Sequence, residues 1–424
     1  MTQAIAPAHG ASLDDWLRWI EATHPHEIEF GLTRAAAVAS RAKLVPVNVP
    51  VITVAGTNGK GSTVAMLQAV YQAAGYRTGA YTSPHIVQFN ERISIDRSYA
   101  SDAQLVAAFE AIEAVRRNTP LTYFEFSTLA AMHAFLHAEC DVILLEVGLG
   151  GRLDTTNIWD TDCAIVTSIA IDHESWLGSD RETIGREKIG IGRSGVPLIM
   201  GEQNPPAAVL TLASKTGMQL QRVPPESERE KLNLRLPGEH QQSNAHAALM
   251  AIAALNHRLP VDSAVATTAL ADVQLSGRFE QRQVDGIQVV QDVAHNPAAA
   301  ASVAAGLSEC FPNAPVFAVF GALSDKDVIG VVKELHTVVQ HWHCVGLPGE
   351  RGTTAPELSA VVTQAGGQSS DYVSIVDAFK AAYKRASAYN SSNPFPEAVV
   401  LVAGSFFTLA ALHENWHDVG RLSR

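Results

Sequence analysis

The chain has 424 residues, 47% of them apolar and 17% charged, and a formal charge of −12 at pH 7. That length exceeds what one hydrophobic core usually supports, so two domains are expected, and the acidic balance excludes non-specific binding to nucleic acid. Cys140, Cys163, Cys310 and Cys344 are far apart with no C-x-x-C pair, which points to reduced thiols in a cytoplasmic protein, not to a zinc site or a disulfide framework. No basic leader precedes Asp14 and Asp15, and no stretch is long enough to span a bilayer, so no membrane is expected.

Ser12 and Asp15 resemble a capping pair, and Leu13, Trp16, Leu17 and Ile20 mark one face of a first helix that stops near His24 and Pro25. Glu27, Ile28, Glu29 and Phe30 follow in a loop that reads as solvated, before an Ala-rich helix closed by Pro46 and Pro50.

The apolar, β-branched run 51–55 predicts a strand. It breaks into Gly56, Thr57, Asn58, Gly59, Lys60, Gly61, Ser62 and Thr63, and residues 64–74 then recur at helical spacing until Gly75. Glycines bring backbone N–H groups close to an anion, and the helix N-terminus adds unpaired donors, so the loop reads as a phosphate cradle. Lys60 would face the terminal phosphates and the Ser62 or Thr63 hydroxyl a magnesium ion, although the spacing departs from G-x-x-x-x-G-K-[ST].

Residues 78–82 should form a second strand, running out into Ser83, and 92–96 alternate as a half-exposed strand. Leu105, Val106, Phe109, Ile112 and Val115 outline a helix, and Phe124, Phe126 and Leu129 lead into the next. Residues 142–145 are a fully apolar strand ending in Glu146, followed by a polar-tipped loop to Asp154. Residues 164–171 repeat the design and end in Asp172 and His173. A strand-end glutamate is commonly solvated and a histidine commonly structural. Here four strands in series end on the cradle, Ser83, Glu146 and His173, the pattern of a nucleotide and metal site at the carboxyl edge of a parallel sheet.

Further on come a charged helix start at 183–188, a strand at 197–200, a helix near 207–213 and an exposed loop at 224–231. Leu232, Leu234 and Leu236 alternate as a strand, and an Ala-rich helix opens near Asn244, which is a cap or an adenine contact, capping being the commoner role. Ser276 to Glu280 reads as a joint, with the boundary at Val284 and Asp285. A fresh α/β alternation follows, with strands near 289–292, 315–320, 342–346, 373–376 and 399–403. The expected class is α/β: a P-loop domain over 1–284 with a mainly parallel sheet, and a smaller Rossmann-like domain over 285–424.

Together, the motifs at 56–62, 82–85, 122–126, 146–154, Asp172 and His173, 186–188, 277–279 and 292–297 resemble the Mur ligase superfamily, specifically its folylpolyglutamate synthase and dihydrofolate synthase branch. The resemblance covers almost the whole chain. It implies a Mur-ligase-type ATP-binding domain, a C-terminal ligase domain, and an ATP-dependent amide ligase that joins L-glutamate to dihydropteroate or to reduced folates through an acyl phosphate.

By the same resemblance, Ser83, Glu146 and His173 hold magnesium, with two ions in all, and Lys188 is carbamylated beside the second. Residues 56–63, Asn244, Arg278, Asp292 and His295 contact ATP; Lys60, Lys188 and His295 are catalytic. The pteridine lies among Glu27, Ile28, Glu29, Phe30, Thr122, Tyr123, Phe124, Glu125, Phe126, Arg152, Leu153 and Asp154. The expected protein is a cytoplasmic monomer acting on small molecules. Folylpolyglutamate synthase activity alone is the alternative within the family. On the cradle alone, a small-molecule kinase or a nucleotide-dependent switch stays open.

Overall fold

A computed structural model describes residues 6–24, 28–393 and 395–419. The chain forms two compact units, Met1–Asn233 with Gln242–Val273, and Leu234–Gln241 with Gln274–Arg424.

The sheet of the first unit contains β1 (Val51–Ala55), β2 (Thr78–Tyr81), β3 (Ile93–Ile95), β4 (Ser98–Tyr99), β5 (Val142–Glu146), β6 (Cys163–Val166), β7 (Pro197–Met200) and β8 (Gln219–Arg222). Their spatial order is β4-β3-β2-β5-β1-β6-β7-β8. The β2–β3 and β3–β4 pairs are antiparallel and the others parallel. β1, β5 and β6 are buried at every position, as strands covered on both faces must be. Trp16, Trp19, Phe109, Phe126 and Phe135 fill one side, where the helices Leu13–Thr23, Asp102–Arg116 and Tyr123–His137 pack. Ile184, Ile189 and Val209 belong to a second cluster, with Ala164 and Val166 of β6. Each such side chain, fully buried, contributes roughly 1.5–3 kcal/mol.

The capping pair forms as expected, Ser12 and Asp15 each bonding the other's backbone. Two sequence readings are corrected. β6 ends at Val166, not Ile171, because the Ser168 carbonyl accepts from Thr57 N (2.9 Å) and the Ala170 N–H donates to Thr57 Oγ1 (3.0 Å), so these groups serve the glycine loop. Leu232, Leu234 and Leu236 form no strand: the Gln242 side chain accepts from Leu232 N (2.9 Å) and donates to its carbonyl (2.8 Å), satisfying the backbone without a neighbouring strand.

The second unit contains β9 (Glu280–Val284), β10 (Ile287–Asp292), β11 (Val316–Phe320), β12 (Val339–Val345), β13 (Ser369–Tyr372) and β14 (Val399–Ala403), in the order β13-β12-β11-β14-β10-β9. All pairs are parallel except β9 with β10. Asp285 and Gly286, where the sequence suggested a domain boundary, turn this hairpin inside the second unit. The strand expected at 373–376 lies earlier. Val373 is 99% exposed, and Ser374 caps the helix Ile375–Ser392. No described helix is long and apolar enough to cross a membrane.

Candidate active site

The order β2-β5-β1-β6 makes the carboxyl ends of four strands neighbours, so the residues that follow them share one sheet edge. After β1 the chain turns through Gly56, at φ +153°, where a Cβ would lie 1.8 Å from Thr167 Oγ1; only glycine fits. Gly59, at φ +86°, begins the helix Lys60–Ala73, and a Cβ there would meet Asn244 Oδ1 at 2.6 Å. Thr57 and Asn58 are stitched to the segment after β6: Thr57 N donates to Ser168 O (2.9 Å), Asn58 N to Ser168 Oγ (3.0 Å) and Thr167 Oγ1 to Asn58 O (2.6 Å). Lys60 Nζ curls back over the loop onto the carbonyls of Gly56 and Thr57, both at 3.1 Å. Ser62 is buried, and the Thr63 hydroxyl donates to Gly59 O (2.9 Å). Asn244 is no cap: it lies inside the helix Glu239–Ala254, with its amide against Gly59.

Glu146 closes β5 and is 3% exposed. Its Oε2 accepts from Ser83 N at 3.1 Å and lies 3.4 Å from where a Cβ on Gly61 would be, so carboxylate, Ser83 and helix start form one corner. Hard divalent cations take oxygen ligands, and this corner fits magnesium on that ground. His173 is exposed, in the left-handed conformation (φ 54°), and supplies nitrogen, so it is the less apt donor. Among the described residues, no group of three or more His, Cys, Asp or Glu forms a metal cage.

Lys188, on the helix Arg181–Ile189, is 4% exposed. Burial first, and then the Lys60 cation, hold its amine down at about 7, with Asp172 pulling the other way.

Two of the stretches expected to take the acceptor meet through Arg34. Thr122 and Glu125 form a capping box at the helix Tyr123–His137, with Thr122 N donating to Glu125 Oε2 (2.8 Å). The other oxygen of this buried carboxylate takes Arg34 Nη2 at 2.9 Å, and Arg34 also pairs with Glu29, which His24 approaches at 3.1 Å. Glu125 is thus tied into the frame.

Phe126 is fully buried against Trp19 and Phe109, ring centroids 5.9 and 5.8 Å away, a core position and not a lining one. Phe124 packs on Tyr81 at 5.7 Å, and Phe30 meets Trp176 edge-on at 5.6 Å. Ile28 and Leu153 are half-buried; Glu27 lies outside the described residues. Arg152 pairs with Glu187 (2.9 Å). Asp154 Oδ2 accepts from the N–H groups of Gly148 (3.0 Å) and Leu149 (2.9 Å), and Oδ1 from Thr156 N (2.9 Å) and Oγ1 (2.7 Å). Burial pushes its carboxyl up against the pull of these bonds.

In the second unit, Asp292 ends β10 and accepts from Phe279 N and Ala294 N, both at 2.8 Å. Burial raises its carboxyl while Arg278 pulls it down. Phe406, after β14, gathers the pair: the Arg278 guanidinium lies 5.3 Å from its ring centroid and the His295 ring 6.2 Å away. Burial, then Arg278, hold His240 down at about 4.

Sequence reasoning did not single out Arg34, Trp176, His240 and Phe406, which the structure sets beside the candidate residues. None stands in a motif that signals chemistry. The one available hint was an aromatic, Trp176, three residues beyond His173.

The fold and cradle define an α/β protein of the Mur ligase class, and the profile "Mur ligase, glutamate ligase domain" matches residues 277–406. The dihydrofolate synthase/folylpolyglutamate synthase of Escherichia coli K12 is 40% identical over 422 residues, covering 96% of each chain. The structure of E. coli FolC in complex with DHPP and ADP superposes with a TM-score of 0.87 at 38% identity, covering 97% of this chain and 99% of that one. A bifunctional folylpolyglutamate synthase/dihydrofolate synthase from Yersinia pestis, complexed with AMPPNP and Mn ion, also scores 0.87, at 37% identity over 97% and 100% of the two chains. The chain belongs to the dihydrofolate synthase/folylpolyglutamate synthase family.

Proposed function

We propose that this chain is an ATP-dependent carboxylate–amine ligase that adds L-glutamate to dihydropteroate, forming dihydrofolate, and to reduced folates. The observation that supports it is the single sheet edge on which the glycine loop, Ser83 and Glu146 stand together, in a chain so similar to the E. coli enzyme. The phosphate loop belongs to the first unit and the glutamate-ligase match to the second, in a monomeric cytoplasmic enzyme.

The acceptor carboxylate attacks the terminal phosphorus of ATP, giving an acyl phosphate and ADP. The amine of glutamate then attacks the acyl carbon, phosphate leaves with the bonding pair, and the amine loses its proton to form the amide. Phosphates and carboxylate repel, so the backbone N–H groups of residues 56–63 and the Lys60 ammonium must offset negative charge along the first step. Asn244, Arg278, Asp292 and His295 are assigned to the nucleotide, with His295 catalytic alongside Lys60 and Lys188.

Two magnesium ions, one at Ser83, Glu146 and His173 and the second at Lys188, would supply charge neutralisation at the phosphate oxygens. A buried amine held near 7 is substantially uncharged at neutral pH. Carbon dioxide can add to it with loss of a proton, turning Lys188 into an anionic oxygen donor. The pteridine is assigned to residues 28–30, 122–124 and 152–154, with Glu125 and Phe126 shaping that wall from behind.

Incubation with ATP, magnesium and glutamate plus either dihydropteroate or tetrahydrofolate, with products read by mass, tests the reading. One added glutamyl mass on each acceptor is expected. A stable phosphorylated product would mark a kinase, slow ATP hydrolysis without any acceptor a switch, and extension of the folate alone the single-activity alternative.

A further inference from the structure

β6 ends at Val166 and β7 at Met200, and the backbone from Ser168 to Ala170 runs on beyond both strands. Its polar groups are taken in two directions. On the side of the glycine loop, Ser168 O accepts from Thr57 N (2.9 Å), and the Thr57 hydroxyl accepts from Ala170 N (3.0 Å) and donates to Ala170 O (3.1 Å). The Ser168 hydroxyl takes both backbone groups of Asn58, accepting from its N–H (3.0 Å) and donating to its carbonyl (3.1 Å). On the other side an ion pair meets both backbone groups of Ile169: its N–H donates to Glu202 Oε2 (2.9 Å), and its carbonyl accepts from Arg181 Nε (2.8 Å). Arg181 Nη2 lies 3.2 Å from Glu202 Oε1 and donates to Asn204 O (3.0 Å), while Asn204 N donates to Glu202 Oε1 (3.0 Å). Ile169 is 2% exposed, so its peptide groups cannot turn to water instead.

We propose that Arg181 and Glu202 are a positioning pair for the nucleotide: by holding Ile169 they set residues 168–170, and through these the glycine loop. The proposal rests on the assignment of that loop to ATP. Glu202 stands just beyond β7 and, with Arg181, gives Ile169 the donor and acceptor that a neighbouring strand would otherwise supply. Ser168 O and the backbone groups of Ala170 then stay turned to Thr57. Loop amides stabilise phosphate charge best when they are fixed before that charge develops, and this chain of bonds fixes two of the loop's residues. Without Arg181, Ile169 O loses its donor and Glu202 its cation, so residues 168–170 can shift and Thr57 and Asn58 shift with them. Among the described residues, neither Arg181 nor Glu202 bonds the stretches assigned to the acceptor. Arg181 opens the helix that carries Lys188, so one helix serves both the loop and the buried amine.

The test measures ADP affinity by calorimetry, and KM for ATP, glutamate and dihydropteroate, in the wild type, Arg181→Met, Arg181→Lys and Glu202→Gln. In Arg181→Met, ADP should bind roughly tenfold more weakly and the KM for ATP rise by a similar factor, the scale of one lost charge-assisted hydrogen bond. The KM for glutamate and for dihydropteroate should hold. Arg181→Lys keeps the charge but has no planar fork to bridge Ile169 O and Asn204 O, so a smaller shift in the same sense is expected. That variant decides the matter if Arg181→Met does not fold. Combining Arg181→Met with Glu202→Gln should cost less ADP affinity than the product of the two single losses, because the side chains act together. Unchanged ADP affinity in the variants, or a KM that rises alike for all three substrates, overturns the proposal. A wild type that binds ADP but joins glutamate to no acceptor overturns the ligase reading and leaves the ADP comparison standing.

Discussion

Within the first unit the bonds that tie the phosphate loop have a backbone atom at one end and often a side chain at the other: Thr57 and Asn58 bond residues 168 and 170, Lys60 folds onto two loop carbonyls, and Gly56 and Gly59 admit close neighbours. The acceptor corner is held by charged side chains, with Glu29, Arg34 and Glu125 in one chain of ion pairs and Arg152 on Glu187. A backbone atom survives most substitutions, proline's lost N–H apart, so the loop is limited by its required glycines and by the hydroxyls and ammonium that meet its backbone. The corner proposed for the acceptor can be loosened one side chain at a time.

The largest effect expected is at the phosphate side. Lys60→Ala or Glu146→Gln should lower kcat by roughly a hundredfold to a thousandfold, the usual loss for one electrostatic stabiliser, while the thermal midpoint stays close to wild type. Near wild-type turnover in either would break the assignment of this edge to catalysis. Next, Gly56→Ala should abolish tight ADP binding in calorimetry, because the new Cβ meets Thr167 and the loop must move, and should cost roughly 1–3 kcal/mol of stability.

Lys188→Ala should lose most activity and regain part of it with formate or acetate, which replace the missing anion; full activity without rescue would remove the carbamate from the account. The same residue predicts a pH effect. The folded amine sits at about 7 and the unfolded one near 10.5, so the unfolded chain binds more protons between those values and stability rises with pH across that window. Urea midpoints in carbon-dioxide-free buffer should show a shallower rise in Lys188→Met than in wild type. An unchanged slope would show that this amine is not buried as described.

The smallest effect belongs to the acceptor corner. Arg34→Ala leaves the buried Glu125 with its cap but without its cation, which should cost about 1–2 kcal/mol, moderated because Arg34 keeps some solvent contact. The KM for both acceptors should rise while that for ATP does not; a parallel rise for ATP would erase the contrast between the two corners.

Residues 51–73 were legible as strand, loop and helix because that motif is made by its own neighbours: the apolar run, the glycines and the helical spacing each act over a few residues. The same holds for Ser12 with Asp15, and for the acid ending β5. What only the tertiary structure decided is which strand ends lie side by side, that Arg34 joins Glu125 91 residues away, and that residues after Val166 leave the sheet to serve a loop 110 residues earlier. Local sequence carries propensity. It carries no record of which distant donor will satisfy a given carbonyl or carboxylate, and that pairing is settled only when the sheet order brings the two together.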